Sequence, residues 1–249
     1  VLNGFFNISH FLISTGNFNE TTSTFYTDHV LLTSGQEICS EIEQLFTELS
    51  AGKNPDELAA LKFRELYVTK INFLDKLEKF IKNEIRVQKN GGRGLIRIKV
   101  NNLEDPDFIE QLYKASQAGV EVQLIVRSIC CLVPGVEGLS ENITVKRLVD
   151  KYLEHSRVMI FGSDDATAVI CMGSADLMRR NLHRRIEGCA DIKDDNCRKE
   201  LLKYFDFQWN DNSKAGTITA ENELIRPVID GQRTNAQSDI YEYLKLSHA

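Results

Sequence analysis

The chain has 249 residues with 42% apolar content, enough to bury a substantial core as one large domain or two small ones. A formal net charge of -6 argues against a general nucleic-acid binder, which is usually basic, and leaves room for a local basic pocket. The six cysteines form no C-x-x-C pair and no zinc-like spacing, so they read as reduced thiols, with the vicinal Cys130 and Cys131 in packing roles.

The opening run Val1 to Ile13 is moderately apolar, but it lacks a basic leader and is too short to span a bilayer. It also lacks an initiator Met, as a cut or processed boundary would. Ser14-Thr15-Gly16-Asn17 follows, a small turn rich in hydroxyl and amide groups. Gly35 to Leu49 is helix-like, with Ile38, Ile42, Leu45 and Phe46 on one face. Ala51-Gly52-Lys53-Asn54-Pro55 breaks that pattern and is the linker candidate.

Leu66-Tyr67-Val68 reads as a strand, and Phe73, Leu74, Leu77, Phe80, Ile81 and Ile85 trace an amphipathic helix. The turn Asn90-Gly91-Gly92 leads to the strand Leu95 to Val100. The next helix has Asp105 as N-cap, Pro106 at its first position and Gly119 just past its end. Val120 to Val126 is a strand that delivers Arg127 at its C-terminal end, the edge where open α/β sheets bind ligands. Strands around Val158, Val169 and Ile186, a helix from Asp195 to Trp209 and a last helix near Tyr241 complete the pattern. Alternating strands and helices predict an α/β fold of mixed sheets with flanking helices.

The chemistry concentrates in two elements. His155-Ser156-Arg157 runs into the apolar strand Val158 to Phe161, and a second strand ends in Gly173-Ser174-Ala175-Asp176. Ser14-Thr15-Gly16-Asn17 matches this second element with no His-x-Lys/Arg upstream of it. Such a turn offers backbone N–H groups and short donors to an oxyanion, and the histidine offers a nucleophile or an acid. A lone histidine is most often a core or surface residue. Here Arg157 follows two residues later on the same face, which favours a functional role for His155.

Arg127 is either a surface charge or a fork of donors shaped for phosphate oxygens. Arg179, Arg180, His183, Arg184 and Arg185 form a basic cluster in an acidic chain. Residue alternation turns Arg185 toward the site if Arg184 faces solvent. Tyr26 and Asp28 share a strand face; an aromatic suits stacking on a base, and a carboxylate can orient a histidine or a water. Lys99 and Asn101 also share a face, with a structural role open to them.

Two phosphate-site halves facing one another is the arrangement of the phospholipase D-like superfamily, which this chain resembles with one complete and one partial half. More closely, Ser14 to Glu20 and Phe25 to Asp28 resemble the large, ATP-dependent bacterial polyphosphate kinases. So do Ile98 to Leu103, Leu124 to Arg127, Gly138 to Ile143, Tyr152 to Arg157, Ser174 to Asp176, Arg180-Asn181 and Arg184 to Glu187, in the same order. Leu177 departs from the family pattern, where Trp follows Ser-Ala-Asp.

The resemblance implies reversible transfer of the ATP terminal phosphate to inorganic polyphosphate through a phosphohistidine, with Mg2+ accompanying ATP and no metal-ligating side chains assigned. It implies that His155 is catalytic and contacts ATP, that Tyr26, Arg127 and Arg185 bind nucleotide or phosphate, and that Asn17, Asp28, Arg157, Ser174, Asp176 and Arg180 support them. The phosphorylated histidine is expected upstream of Ser14, outside this chain, since His10 sits too close to the turn. Residues 1–55 are expected to complete a first phospholipase D-like domain and residues 56–249 to form the second.

The expected partners are ATP, ADP, polyphosphate, the N-terminal portion of the enzyme and further copies in a homo-oligomer, without nucleic acid. The expected location is cytoplasmic, at most peripheral to the inner membrane. Two other readings stay open: a phospholipase D-like phosphodiesterase or nuclease, and a non-catalytic polyanion-binding module. The first would carry Lys at Arg157, Asn at Asp176 and a second intact His-x-Lys.

Overall fold

Side chains of a strand alternate between two faces, so strands apolar on both faces need cover on both sides. The computed structural model describes residues 9–229 and 231–247, and most of the run Val1 to Ile13 lies outside the described residues. Its first elements are β1 (Phe11–Ser14), α1 (Glu20–Ser23), β2 (Tyr26–Thr27), β3 (Val30–Thr33), α2 (Gln36–Ser50) and α3 (Pro55–Leu58). Then come β4 (Leu66–Val68), α4 (Phe73–Lys89), β5 (Leu95–Val100), α5 (Pro106–Gln117), β6 (Glu121–Val126), β7 (Ile143–Arg147) and β8 (Leu153–Glu154). The remainder is β9 (Val158–Phe161), β10 (Val169–Gly173), α6 (Arg179–Arg184), β11 (Gly188–Asp191), α7 (Asp195–Trp209), β12 (Gly216–Ile218), β13 (Leu224–Ile225) and α8 (Ala236–Ser247).

A nine-stranded sheet in the order β13-β12-β7-β6-β5-β9-β10-β11-β4 forms the centre. The strands β5, β6 and β7 are mutually parallel and β9 runs antiparallel to β5. One core lies on the face of Ile96, Ile98, Val122, Leu124, Met159 and Phe161. It is closed by Phe73, Leu77 and Ile81 of α4 and by Phe108 and Leu112 of α5. The opposite face carries Ile125, Val158 and Ile160, covered by Ile38, Ile42 and Leu45 of α2 and Leu201 and Phe205 of α7. Each of these side chains contributes about 1.5–3 kcal/mol by leaving water. The N-terminal residues therefore share a core with the large sheet.

Two small pairings place the site. β1 pairs with β3, antiparallel, and β2 pairs with β8, parallel, with Tyr26 opposite Leu153 and Thr27 opposite Glu154. The second pairing holds the N-terminal segment beside the segment leading into His155.

Local punctuation follows the expectations for α5: Asp105 accepts a bond from Phe108 N at 2.9 Å, Pro106 opens the helix, and Gly119 sits at φ +88. Elsewhere the expectations need correction. Phe46 is 59% exposed, bordering a shallow cavity with Phe11 and Thr47, because it lies on the flank of the stripe set by Ile38, Ile42 and Leu45. The linker candidate ends in structure, since Asn54 and Glu57 form a capping box that starts α3 at Pro55. The strand expected near Ile186 begins at Gly188, and Arg179 to Arg184 is helical, so strand alternation does not govern Arg184 and Arg185. Leu177 is fully buried and its carbonyl accepts from Glu104 N and Asp105 N. Among the described residues no helix is long and apolar enough to cross a membrane.

Candidate active site

β1 delivers Thr15, which is 1% exposed. The Thr15 hydroxyl donates to Asp28 Oδ1 at 2.7 Å and accepts from His29 N at 2.9 Å, while Thr15 N donates to His29 O at 3.0 Å. These bonds close the N-terminal turn onto the segment after β2. On the far side, β10 ends at Gly173, where a Cβ would lie 2.1 Å from Gly188 O, so only glycine lets β10 and β11 approach this closely. Ser174 donates to Glu187 Oε2 at 2.6 Å, and Glu187 Oε1 also accepts from Asn181 at 2.8 Å. Asp176, 3% exposed, accepts from the backbone N–H groups of Asn101 and Asn102 at 2.8 and 3.1 Å.

His155 lies between these two turns. Its Nδ1 is 3.0 and 3.1 Å from the Asp28 carboxylate oxygens, and its ring centroid is 4.6 Å from that of Tyr26. Assigning the Nδ1 proton to the Asp28 bond leaves Nε2 as the second reactive nitrogen. Arg157 crosses the gap between the turns. Its Nη1 donates to Thr15 O at 2.6 Å and to His155 O at 3.0 Å, and its Nη2 donates to Asp176 Oδ2 at 3.1 Å. The same Nη1 is 3.2 and 3.3 Å from the two ring nitrogens, so it is not aimed at a single lone pair.

Burial pushes the Asp28 carboxyl up. The His155 bond, the Thr15 bond and the charges of His155 and Arg157 outweigh that and hold it below its ordinary value. Asp28 is thus an anion that fixes the Nδ1 edge of the imidazole. The arrangement suits proton donation, or positive charge, toward an anionic oxygen.

Tyr26, Asp28, His155, Arg157 and Asp176 come together. Arg127 joins them by donating from Nη1 to Glu154 O at 2.7 Å. Arg185 stands further off: its guanidinium is 57% exposed and 3.8 Å from Glu187, which links it to Ser174. Asn17 and Arg180 are exposed, and among the described residues no hydrogen bond or ion pair ties their side chains to the group.

Sequence reasoning missed the buried cluster beneath His155. Lys99 and Glu154, only 2% exposed each, form an ion pair at 2.8 Å, joined by Tyr204 and Ser156. Glu154 was visible only as the neighbour of His155 in the Tyr152 to Arg157 run. A cavity of about 460 Å³ also opens beside Asp28, walled by Tyr26, Tyr152, Phe207 and Tyr241. His155, Arg127 and Arg185 do not line it, though Tyr26 and Asp28, which touch His155, do.

Residues 66–237 match the family model of polyphosphate kinase C-terminal domain 2, and residues 6–55 match that of C-terminal domain 1. The chain is 38% identical to polyphosphate kinase of Vibrio cholerae, over 94% of this chain and 32% of that protein. It is 39% identical to polyphosphate kinase of Vibrio parahaemolyticus, over 94% of this chain and 33% of that protein. The crystal structure of polyphosphate kinase from Porphyromonas gingivalis matches with a TM-score of 0.88 at 41% identity, covering 95% of this chain and 36% of that one. The chain spans about a third of the length of the curated relatives it matches.

Proposed function

Because the chain belongs to the polyphosphate kinase family, we propose that it supplies one side of an active site that moves the terminal phosphate of ATP onto inorganic polyphosphate, reversibly. The observation that carries this reading is the His155–Asp28 pair at 3.0 Å, bridged by Arg157 to the turn at Asp176. Asp28 holds the imidazole, and Nε2 faces the leaving phosphate oxygen, which takes its proton or is stabilised by its charge. Arg127 and Arg185 grip phosphate oxygens, since guanidinium forks match their geometry. Tyr26 offers its ring to the nucleotide base.

The remaining assignments belong to the same proposal. Arg157, Asp176 and Ser174 shape the cradle, with Asn17 and Arg180 at its rim. Residues 1–55 and 56–249 act as parts of two phospholipase D-like domains, and the covalent phosphohistidine lies on a portion of the enzyme other than this chain. Homo-oligomerisation and a cytoplasmic location complete the reading.

Mg2+ enters with ATP. Among the described residues no three His, Cys, Asp or Glu side chains converge to hold a metal, so the residues here do not form a cage for it. Mg2+ is commonly held by substrate phosphates with one or two carboxylates.

The test is incubation of the chain with labelled ATP and polyphosphate, alone and mixed with the N-terminal portion of a polyphosphate kinase. Polyphosphate elongation in the mixture, lost with His155→Ala, is the expected result. Cleavage of a simple phosphodiester by the chain, with no elongation, would favour the phosphodiesterase reading instead.

A further inference from the structure

Beneath His155 lies a buried charge whose purpose the phosphate chemistry does not explain. The Glu154 side chain takes donors from four parts of the fold. Its Oε2 accepts from Thr27 Oγ1 of β2 at 3.1 Å and from Lys99 Nζ of β5 at 2.8 Å. The same oxygen accepts from Tyr204 Oη and Gln208 Nε2 of α7 at 2.7 and 2.6 Å, while Oε1 accepts from Gln237 Nε2 of α8 at 2.9 Å. Burial alone pushes this carboxyl up, but the Lys99 charge and the bonds from Lys99, Tyr204 and Gln237 bring it down to about 2. Lys99, fully buried, is shifted in the complementary direction: burial lowers it, and Glu154 and Tyr204 raise it above its ordinary value. Both partners are therefore charged in the folded protein.

A buried ion pair is weak grounds for stability, because desolvation offsets most of the attraction, yet it can fix one arrangement of the elements it touches. The elements fixed here carry the site. Thr27 is the residue before Asp28, and it pairs with Glu154 through the backbone as well as the side chain. Glu154 is the residue before His155, and its carbonyl receives Arg127. His155 N donates to Thr27 O at 3.2 Å. Asp28 and His155 are thus each one residue away from a single knot, on opposite strands of a two-residue pairing. So short a pairing has few backbone bonds of its own to hold its register. A carboxylate suits the knot because it accepts on both oxygens, whereas an amide would turn an N–H₂ toward existing donors.

We infer that Glu154 is a positioning residue: it locks β2 against β8 so that Asp28 meets His155 Nδ1, and it sets Arg127 beside them. The inference deepens the proposed function, resting on His155 as the reacting imidazole, but its geometry can be tested without ATP or polyphosphate.

The experiment uses the full chain with 15N-labelled histidine, its His155 signal assigned with a His155→Gln variant. Imidazole 15N shifts, read well above the ordinary histidine value of about 6.5, report which ring nitrogen carries the proton. The wild type should show His155 as the Nδ1–H tautomer. Thr27→Val leaves the Lys99–Glu154 pair and the backbone pairing intact and removes only the side-chain bond from β2. It should lower the Nδ1–H to Nε2–H ratio by about tenfold or more, as expected for weakening one bond to a charged group. Lys99→Met/Glu154→Gln removes both charges of the knot without stranding one and turns an N–H₂ toward its remaining donors, and should do the same.

A control, Leu112→Ala in α5, should lower the melting temperature and leave the tautomer unchanged, which separates positioning from general stability. A wild-type tautomer preserved in both folded variants overturns the proposal. So does a wild type that is itself a mixture. Neither result bears on the class of reaction, which the elongation assay decides.

Discussion

The backbone of Gly16 presses on the carboxylate of Asp28: a Cβ there would lie 2.1 Å from Oδ2 and 2.4 Å from Cγ. The glycine in this turn is therefore explained by a side chain twelve residues later, not by an unusual backbone angle. Asp28 itself is held by Thr15 at 2.7 Å and by His155 at 3.0 Å.

Gly16→Ala should consequently displace Asp28 and loosen His155 while leaving both cores intact. In a full enzyme carrying this sequence, turnover should fall about 10- to 100-fold, the scale of losing one hydrogen bond to a charged group. Steady-state kinetics and a thermal melt check this. Unchanged turnover would mean that Asp28 does not act on His155.

His155→Ala in the same enzyme should lower kcat far more than it raises KM for ATP. A general acid contributes about 10²–10⁴-fold, and a group that acts in the transition state lowers kcat with KM nearly constant. A steep rise in KM with kcat preserved would make His155 a binding residue instead.

Tripolyphosphate should bind the chain weakly and in a salt-sensitive way through Arg127, His155 and Arg185. Exposed charges are screened over about 8 Å at physiological ionic strength, so calorimetric affinity should drop on raising salt. Arg185, more than half exposed, should lose more to salt than the half-buried Arg127. Binding that survives both Arg127→Ala and Arg185→Ala would remove the phosphate assignment.

Stability should decline on acidification in two stages. Burial, with the charge of Lys99, lowers His29 from 6.5 to about 4, and its buried Nε2 has no hydrogen-bond partner among the described residues although the residue is partly exposed. A base with a lowered folded value contributes fully above about 6.5, and that contribution is lost as pH falls toward about 4, by at most ~1.4 kcal/mol per pH unit. Glu154, lowered from 4.5 to about 2, contributes above its ordinary value and loses that contribution between about 4.5 and 2. Denaturant titrations at a series of pH values should show His29→Phe flattening only the upper stage. Parallel curves for wild type and variant would contradict this origin.

The α/β alternation, the well-capped α5, the amphipathic α4 and the strand leading to Arg127 were legible because each depends on local spacing and turn chemistry. Their apolar periods of about 3.6 and 2 are written in neighbouring residues. The His155-Ser156-Arg157 run and the Gly-Ser-Ala-Asp turn were legible for the same reason, as short segments with distinctive residue types. Phe46 and the helix over Arg179 to Arg184 were misread because a flank residue and a short basic helix take their state from what covers them.

What the sequence alone determined is which short segments carry residue types suited to phosphate, and which strand ends present them. Only the tertiary structure decided that Asp28 reaches His155 across 127 residues, that Arg157 bridges both turns, and that Glu154 ties β2 to β8 above a buried lysine. No local period encodes such contacts. They arise when the cores on both sides of the sheet close and bring distant strands within hydrogen-bond range, where buried polar groups must find partners in one another.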